Sequence, residues 1–358
     1  MDIPRLRLQH QALIGPPRAR PEDVVQTLLA VQSQDYSGAK WAVAQRARGA
    51  DDASVEQALV EGRILRTHVM RPTWHFVSPA DIRWLLELTS PRVHAVNAPY
   101  YRKHGLDAAV AKRSRARIEK ALSRGKHLTR EELGRAIDPK DAALTGERLA
   151  LFIMRAELDA VIASGAMRGK QHTYALLDER APRAPRLERD EALARLAHRY
   201  VSGHGPAQAR DLAWWSGLTI ADATRGFAAN DDLERTEVNG NTYWFARAKP
   251  PPRHTAPVVH LLPNYDELFI AFRDRSFAFD SRVTPVAGVL AVHFVVIDGR
   301  IAGGYRRSLD KREVTLRVQL LRTLSSAERK ALDAAAQRFA QSLGLTARLE
   351  LESAAAGR

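Results

Sequence analysis

Apolar residues recur at helical spacing before the first β-rich run of the chain. Residues 21–31 predict an amphipathic helix, and a second helix is predicted from Ser37 or Gly38 onward. After another predicted helix over 53–61, residues 63–77 are rich in β-branched and aromatic side chains and indicate two strands around a turn at Arg71-Pro72. Helices followed by a basic hairpin are the arrangement of a winged helix.

The same order of elements then recurs twice. The second unit is predicted to have three helices and a strand, over 108–122, 129–137, 147–164 and 169–177. The third follows a linker rich in proline and arginine, with three helices and a hairpin over 190–201, 208–216, 219–228 and 233–245. Asn239-Gly240 inside that hairpin is a strong turn signal. Three successive winged-helix-like units are therefore predicted, although their sequences do not repeat.

The chain changes character after three consecutive prolines at 250–252. Strands and one closing helix are predicted over 258–262, 268–272, 289–297, 301–305, 314–320 and 325–343. We expect a mixed or antiparallel sheet covered by that helix. The predicted fold class is α+β, with three tandem winged-helix units at 1–100, 101–185 and 186–250 and a C-terminal β-rich module at 251–358.

Composition narrows the possible chemistry. The 358 residues suffice for two to four modules, and their 45% hydrophobic content can bury the cores. The chain contains no cysteine, which excludes disulfides, thiol nucleophiles, iron–sulfur clusters and the common zinc modules. We expect no metal and no cofactor. Without an apolar run of about 18 residues or a signal-peptide pattern, we expect a cytoplasmic protein that does not enter membranes.

The charge balance points to a polyanionic partner. The formal net charge is +14 and the pI is about 10.3. A basic excess of this size favours binding to nucleic acid. Anionic small ligands and a merely basic surface are the alternatives.

Two glutamines stand one residue apart where the first predicted helix ends. Positions two apart on a helix point about 200° away from each other, so Gln32 and Gln34 can share a site only if the chain leaves helical geometry. Asp35, Ser37 and Gly38 allow such an exit, and we predict a corner between helices that presents both amides. Asp35 could act there as a base or cation stabiliser, but capping the following helix is the favoured interpretation.

Five stretches together carry a family resemblance. They are QSQ at 32–34, RTHVMRPTWHFV at 66–77, HTYALLDER at 172–180, GPAQARDLAWWSGL at 205–218 and LLPNYDELFIAFRDR at 261–275. In this order they resemble the AlkZ/YcaQ-type DNA glycosylases. The resemblance implies three winged-helix units in a C-shaped protein that clasps duplex DNA, plus a β-rich C-terminal part. It also implies a catalytic Gln-x-Gln, which Gln32 and Gln34 match, whereas Asp35 lies one position too late for the Gln-x-Asp of the other branch.

The implied reaction is hydrolysis of the N-glycosidic bond of alkylated bases, chiefly N7-alkylguanine, and in some members unhooking of interstrand cross-links. N7 alkylation makes guanine cationic, so the base leaves as a neutral group without a general acid. Amide carbonyls can then stabilise an oxocarbenium-like sugar and position a water. Two glutamines suit such a labile substrate and would not suit an unmodified purine.

Basic side chains in the same stretches are candidate DNA contacts. They are Lys40, Arg66, His68, Arg71, His75, Lys170, His172, Arg273, Arg275, Arg306 and Arg307. Arg71, at a turn, is the strongest phosphate candidate of the first unit. Packing on a β surface is the alternative for His68 and His75, whose spacing does not suit a metal site. Trp214 and Trp215 are expected in the core.

The sequence therefore predicts a DNA glycosylase, with a non-catalytic winged-helix regulator as the alternative. A monofunctional enzyme is expected because no lysine adjoins the glutamines, Lys40 being the nearest. The expected partner is double-stranded DNA with alkylated bases, bound by a monomer because three units in one chain can encircle a duplex. We expect the protein in the bacterial cytoplasm, associated with the nucleoid.

Overall fold

The structure, a computed structural model, describes residues 1–138, 144–247, 255–279 and 293–352. The predicted boundary at 250–252 and the predicted strand residues 289–292 lie outside the described residues. No helix in the described ranges is long and apolar enough to cross a bilayer.

The first unit combines four helices with a three-stranded sheet. Its elements are α1 Ile3–His10, α2 Pro21–Leu28, β1 Ala30–Gln32, α3 Tyr36–Ala44, α4 Asp52–Val60, β2 Leu65–His68 and β3 Trp74–Val77. The sheet is antiparallel in the order β1-β3-β2, which confirms the predicted hairpin over 63–77. The predicted helix over 21–31 is too long, because Leu29 takes a positive φ of 64° and the chain then pairs with β3 as a strand.

A long helix leads into the second unit. α5 spans Ile82–Lys103 and continues through Pro91 and Pro99. The following elements are α6 Ala108–Leu122, β4 Leu128–Thr129, α7 Arg130–Ile137, α8 Gly146–Leu158, β5 Ile162–Ser164, β6 Thr173–Leu176 and α9 Leu177–Arg180. The prediction of one helix over 147–164 is wrong at its end, because Ala160 adopts a positive φ and β5 then pairs with β6.

The third unit agrees closely with its predicted elements. They are α10 Arg189–His204, α11 Ala209–Ser216, α12 Ile220–Ala228, β7 Leu233–Val238 and β8 Asn241–Ala246. Gly217 ends α11 in the left-handed conformation, with φ of 74°, which permits the sharp turn into α12. The hairpin turns at Asn239-Gly240 as predicted.

The C-terminal module is built around a five-stranded sheet. Its elements are β9 Val259–Leu262, α13 Glu267–Ile270, a 3-10 turn Ser276–Ala278, β10 His293–Ile297, β11 Arg300–Leu309, β12 Glu313–Leu320, α14 Ser326–Ser342 and β13 Thr346–Glu352. The order is β13-β12-β11-β10-β9, with only β12 and β13 parallel, so the predicted mixed sheet is confirmed. The predicted strand over 268–272 is wrong, because Asp266 caps the short buried helix α13 there.

The C-terminal module packs against the helices of the first unit. The ring of Trp41 lies 5.0 Å from that of Phe339 on α14, and its Nε1 donates to the Leu261 carbonyl at 2.6 Å. Arg46 makes a buried two-pronged ion pair with Asp266, at 2.7 and 2.9 Å. These contacts bring α13 from the far end of the chain to the segment that carries the two glutamines.

Candidate active site

The segment that carries the two glutamines runs along the edge of the first sheet. Gln32 is the last residue of β1 and lies opposite His75 on β3. The pairing continues to Ser33, whose backbone N–H donates to the Trp74 carbonyl at 2.7 Å. Gln34 follows in a bend between β1 and α3. The pair therefore lies where a strand passes into a helix, and not at a direct corner between two helices.

Both glutamine side chains contact the segment that joins β2 to β3. Arg71 Nη2 donates to Gln32 Oε1 at 2.9 Å, and the Trp74 backbone N–H donates to Gln34 Oε1 at 3.4 Å. Gln32 is buried, whereas Gln34 is exposed. Each carbonyl oxygen keeps a second lone pair, so each can accept one further hydrogen bond from a ligand or a water.

A buried carboxylate lies next to the Gln32 backbone. Glu267 Oε1 accepts from the Gln32 N–H at 2.7 Å, and its Oε2 accepts from Trp215 Nε1 at 2.8 Å. His204 Nε2 lies 3.4 Å from the same Oε2. Gln32 is thus held on two sides: the Glu267 carboxylate accepts from its backbone N–H, and the Arg71 guanidinium donates to its side-chain carbonyl.

Asp35 caps the helix that follows the pair. Its side chain accepts from the Gly38 N–H at 3.0 Å and from the Ser37 hydroxyl at 3.1 Å. Arg307 Nη2 lies 3.7 Å from the Asp35 carboxylate and donates to Ser37 Oγ at 2.6 Å. A Cβ at position 38 would lie 2.6 Å from the Asp35 carboxylate, so a larger residue there would have to displace this side chain. The geometry agrees with the capping interpretation.

Arg66 supports the glutamine segment from the side. Its Nη2 donates to the Ser33 carbonyl at 3.1 Å, and its guanidinium carbon lies 4.4 Å from the centroid of the Trp74 ring. Burial lowers the pKa of Arg66 below its usual value, although the Glu157 carboxylate counteracts this effect. The structure thus places Arg66 as a buried support of the glutamine segment, and its contact with DNA phosphate stays a prediction.

Lys40 belongs to a partly buried ion cluster. Its Nζ lies 2.7 Å from Asp52 and 2.9 Å from Glu56. Burial alone would lower the pKa of Lys40, but the hydrogen bonds to the two carboxylates outweigh it and raise the pKa. The Lys40 ammonium is already paired and the residue is buried, and its DNA contact stays a prediction.

The histidines of the hairpin are also interior groups. His68 Nδ1 pairs with the buried Glu157 carboxylate. His75 is fully buried, its Nδ1–H donates to the Thr73 carbonyl at 3.0 Å, and burial lowers the pKa of its ring well below the usual value. The burial of both rings agrees with packing, the alternative interpretation, and the DNA contacts at these positions stay predictions.

The other candidates lie at or near the surface. Lys170 and Arg306 are exposed, and Arg307 is partly buried against Ser37. His172 is half-buried with its ring 4.7 Å from that of Tyr36, and burial lowers its pKa to about 4. Arg273 and Arg275 are exposed and flank the ring of Trp214.

Comparison with known proteins identifies the relatives of this chain. The family model for the AlkZ-like DNA glycosylases matches residues 25–342. The chain belongs to the AlkZ-like DNA glycosylase family. An interstrand DNA cross-link repair glycosylase of Streptomyces sahachiroi is 26% identical over 318 residues, which are 83% of this chain and 85% of that protein. The solved structure of Streptomyces sahachiroi DNA glycosylase AlkZ covers 98% of both chains with a TM-score of 0.78 and 22% identity.

Family membership confirms the predicted enzyme class over the regulator alternative. This AlkZ-like glycosylase acts on DNA, as its basic charge indicated. The similarity to the solved structure confirms the α+β fold.

Two side chains of the site were not predicted from the sequence. Glu267 lies 235 positions after its partner Gln32, and only its place in the stretch LLPNYDELFIAFRDR marked it. Trp214 was expected in the core, but 37% of it is exposed, whereas the prediction for Trp215 is confirmed by its complete burial. Of the two adjacent tryptophans, Trp214 therefore lies at the surface and Trp215 in the core.

Proposed function

We propose that this AlkZ-like DNA glycosylase hydrolyses the N-glycosidic bond of cationic alkylated purines of the N7-alkylguanine type, with Gln32 and Gln34 as the catalytic pair. The observation that carries the proposal is that both side-chain carbonyls meet the same short segment, at Arg71 and Trp74. Two oriented amides at one place match what the departure of an already cationic base requires. Asp35, engaged as a helix cap, leaves this role to the amides.

The proposed chemistry depends on positioned dipoles. The alkylated base leaves as a neutral molecule, so no side chain has to protonate it. The sugar gains positive charge as the bond breaks, and carbonyl oxygens with a free lone pair can face that charge and hold the attacking water. Gln34 is the exposed member and suits contact with the substrate, while Gln32 is buried and firmly held.

We extend the proposal to bulky adducts and interstrand cross-links. The relative from Streptomyces sahachiroi carries cross-link repair in its name, and a base tied to the opposite strand cannot be flipped out fully. An exposed Gln34 supports attack on a base that stays near the duplex.

The proposed mode of binding uses three winged-helix units of one chain, arranged as a C around duplex DNA. Each of the three small sheets lies in a stretch of the chain with its own set of helices, and the strand orders are β1-β3-β2, β4-β6-β5 and β7-β8. The proposed units are those at 1–100, 101–185 and 186–250. A single chain with three such units can encircle a duplex as a monomer.

We further propose that the enzyme is monofunctional. An amine nucleophile must lose its proton, and the two carboxylates around Lys40 keep this nearest lysine charged. Borohydride should not trap the protein on abasic DNA, and a trapped adduct that Lys40→Met abolishes would overturn this part.

Release of N7-methylguanine from methylated duplex DNA tests the proposed substrate. We expect the protein to release this base well above the spontaneous rate, and to leave hypoxanthine, an uncharged base, in place. A parallel duplex with a defined N7-linked cross-link tests the extension to cross-links by the appearance of unhooked strands. Release of hypoxanthine at a similar rate would show that a cationic leaving group is not required.

A further inference from the structure

Three arginine side chains surround one exposed indole beside the glutamine pair. The guanidinium carbons of Arg71, Arg273 and Arg275 lie 5.7, 5.1 and 5.9 Å from the centroid of the Trp214 ring. We call these four residues the arginine cluster. Packing does not require Trp214 at the surface, because the neighbouring Trp215 already fills the core.

Among the described residues, no carboxylate lies within ion-pair distance of the arginine cluster, and Glu267 acts on Arg71 only from further away. Arg71 donates to the Gln32 amide, and Arg275 Nε donates to the carbonyls of Phe269 and Phe272 at 3.1 and 3.3 Å. Asp274, next in sequence to Arg273, pairs instead with Arg210 at 2.9 Å. Repulsion within such a group is relieved when an anion binds.

One hydrogen-bond donor of the Arg71 guanidinium lacks an acceptor among the described residues. Its buried Nε finds no hydrogen-bond partner in the parts of the chain that the structure describes. Burial is the main cause that lowers the pKa of Arg71, the Glu267 carboxylate counteracts it, and the nearby Arg275 adds to the lowering. A buried donor without an acceptor is costly, and a phosphate oxygen is a strong acceptor for a guanidinium.

Hydrogen bonds hold the framework of the arginine cluster. Asp211 of α11 is fully buried, and its Oδ1 accepts from the backbone N–H groups of Arg273 and Asp274 at 2.9 and 3.2 Å. Trp214 stands three residues further along the same helix and therefore near the same face. Its Nε1 donates to the Ile270 carbonyl at 3.2 Å, which fixes the indole.

We propose that the arginine cluster is a subsite for backbone phosphate of the lesion-bearing DNA strand, and that Arg71 couples this subsite to Gln32. The indole face positions the guanidiniums, and these bind phosphate oxygens by charge-assisted hydrogen bonds. The inference rests on the proposed function, since it assumes that Gln32 acts on the nucleotide bound here.

The coupling has an electrostatic reason. Without DNA, the positive charge of Arg71 lies next to the Gln32 side-chain carbonyl. This charge would repel the positive charge that develops on the sugar. A bound phosphate offsets that charge and fixes the guanidinium, which in turn fixes the amide. Arg71 is in this sense a positioning residue, since it reaches the reacting atoms only through Gln32.

Neutral phosphate analogues test the subsite. The substrate is a duplex with one N7-methylguanine in which the phosphates within three positions on either side are replaced, one at a time, by methylphosphonate. We expect one position to weaken equilibrium binding by wild type about tenfold or more. Arg273→Gln, which changes an exposed side chain, should weaken binding to the same extent and lose sensitivity at that position. Arg329→Gln, which removes an equal charge from a surface pair on α14, should keep the full sensitivity.

Arg71→Lys tests the coupling. The lysine keeps the positive charge but lacks the planar set of N–H donors of the guanidinium. The single-turnover rate of base release should therefore fall by a larger factor than the affinity for duplex DNA. A rate and an affinity that fall in equal proportion would contradict the coupling.

The subsite proposal is overturned if methylphosphonate weakens binding at none of the tested phosphates. It is also overturned if, at every phosphate, the loss of affinity in the double change equals the product of the separate losses from Arg273→Gln and from methylphosphonate. Binding is measured separately from release, so the two proposals can fail separately. If N7-methylguanine is released normally but no phosphate is sensitive, the subsite proposal alone fails. If the expected binding pattern is seen but no base is released, the proposed substrate is wrong and the subsite proposal stands.

Discussion

Gln32 is held by opposite charges on its backbone and its side chain. Its N–H donates to the Glu267 carboxylate, and its side-chain carbonyl accepts from the Arg71 guanidinium. This arrangement fixes the position of the residue along the strand as well as the direction of its amide. Ordinary side-chain flexibility is therefore removed from the residue that we propose to stabilise the sugar.

Glu267→Gln tests this anchor. The carboxylate now accepts hydrogen bonds from Gln32 N and Trp215 Nε1. A glutamine at position 267 can accept only one of them, because its side-chain NH₂ group would face the other N–H donor. We expect a loss of about 1–3 kcal/mol in the free energy of unfolding by urea, together with slower base release. The exposed Glu131 provides the control, since Glu131→Gln removes a charge from the first turn of α7 and should cost less than about 1 kcal/mol without slowing base release. Unchanged stability and rate in Glu267→Gln would refute the anchoring role.

Asp35 can be assigned by comparing two substitutions. Asp35→Ala removes the cap of α3 and should cost about 0.5–2 kcal/mol of unfolding free energy, whereas Asp35→Asn can still accept from the Gly38 N–H. Because capping and not charge is the proposed role, Asp35→Asn should keep most of the single-turnover rate. A stable Asp35→Asn protein with a rate reduced a hundredfold would make the carboxylate catalytic.

At the scale of elements, the three-residue strand β1 decides the geometry of the site. It pairs with β3 from Ala30 to Gln32 and places Gln32 opposite the neutral, buried His75. Helix α3 then begins at Tyr36 and carries the chain away from the sheet. The site is thus the exit from a strand into a helix, supported by the strand next to it.

His75 makes the stability of this sheet dependent on pH. Its folded-state pKa is lowered well below 6.5, so below about pH 6.5 the unfolded chain binds a proton that the folded chain does not. Stability should therefore fall as the pH falls through that value, by up to about 1.4 kcal/mol per pH unit for this group. Urea unfolding of wild type and His75→Gln between pH 7.5 and 5.5 measures the difference in slope, and parallel curves would contradict the assignment.

Strong local signals predicted many elements of the fold. The Asn239-Gly240 hairpin and the strands around Arg71-Pro72 carried turn chemistry together with β-rich flanks, and both are present. Strand β1 was missed because its apolar residues continue the helical spacing of α2, and only the backbone reversal at Leu29 separates them. Helix α13 was predicted as a strand because a short, fully buried apolar run has no periodicity that distinguishes the two.

The same limit applied to the candidate site. The family pattern indicated Gln32 and Gln34, but residue type alone could not tell a DNA contact from an interior cation. Lys40 and Arg66 are basic yet buried, since their partners Glu56 and Ser33 come from folding and not from the local pattern. Glu267 could not be placed at all without the packing of the C-terminal module on the first unit.

At the scale of the whole molecule, a chain of 358 residues with a net charge of +14 joins several small sheets to one larger sheet. The C-terminal module contributes to the site itself, because α13 supplies Glu267 and the segment after it supplies Arg273 and Arg275. Removing this module should therefore abolish the geometry around Gln32 along with any DNA contacts of its own.

Binding to duplex DNA should depend steeply on salt. A protein that encircles a duplex and neutralises about 6–10 phosphates loses about 10³–10⁵ in affinity between 50 and 200 mM salt. We expect a loss in this range for undamaged duplex DNA, measured by fluorescence anisotropy. A change of less than about tenfold over that interval would exclude a clamp with many phosphate contacts.

The most direct test of the account is the single-turnover release of N7-methylguanine by wild type, Gln32→Ala and Gln34→Ala, measured beside duplex affinity. We predict that each substitution slows release by about 10²-fold or more while duplex affinity changes little, because oriented amides act mainly on the transition state. Full release by either variant would contradict the proposed catalytic pair.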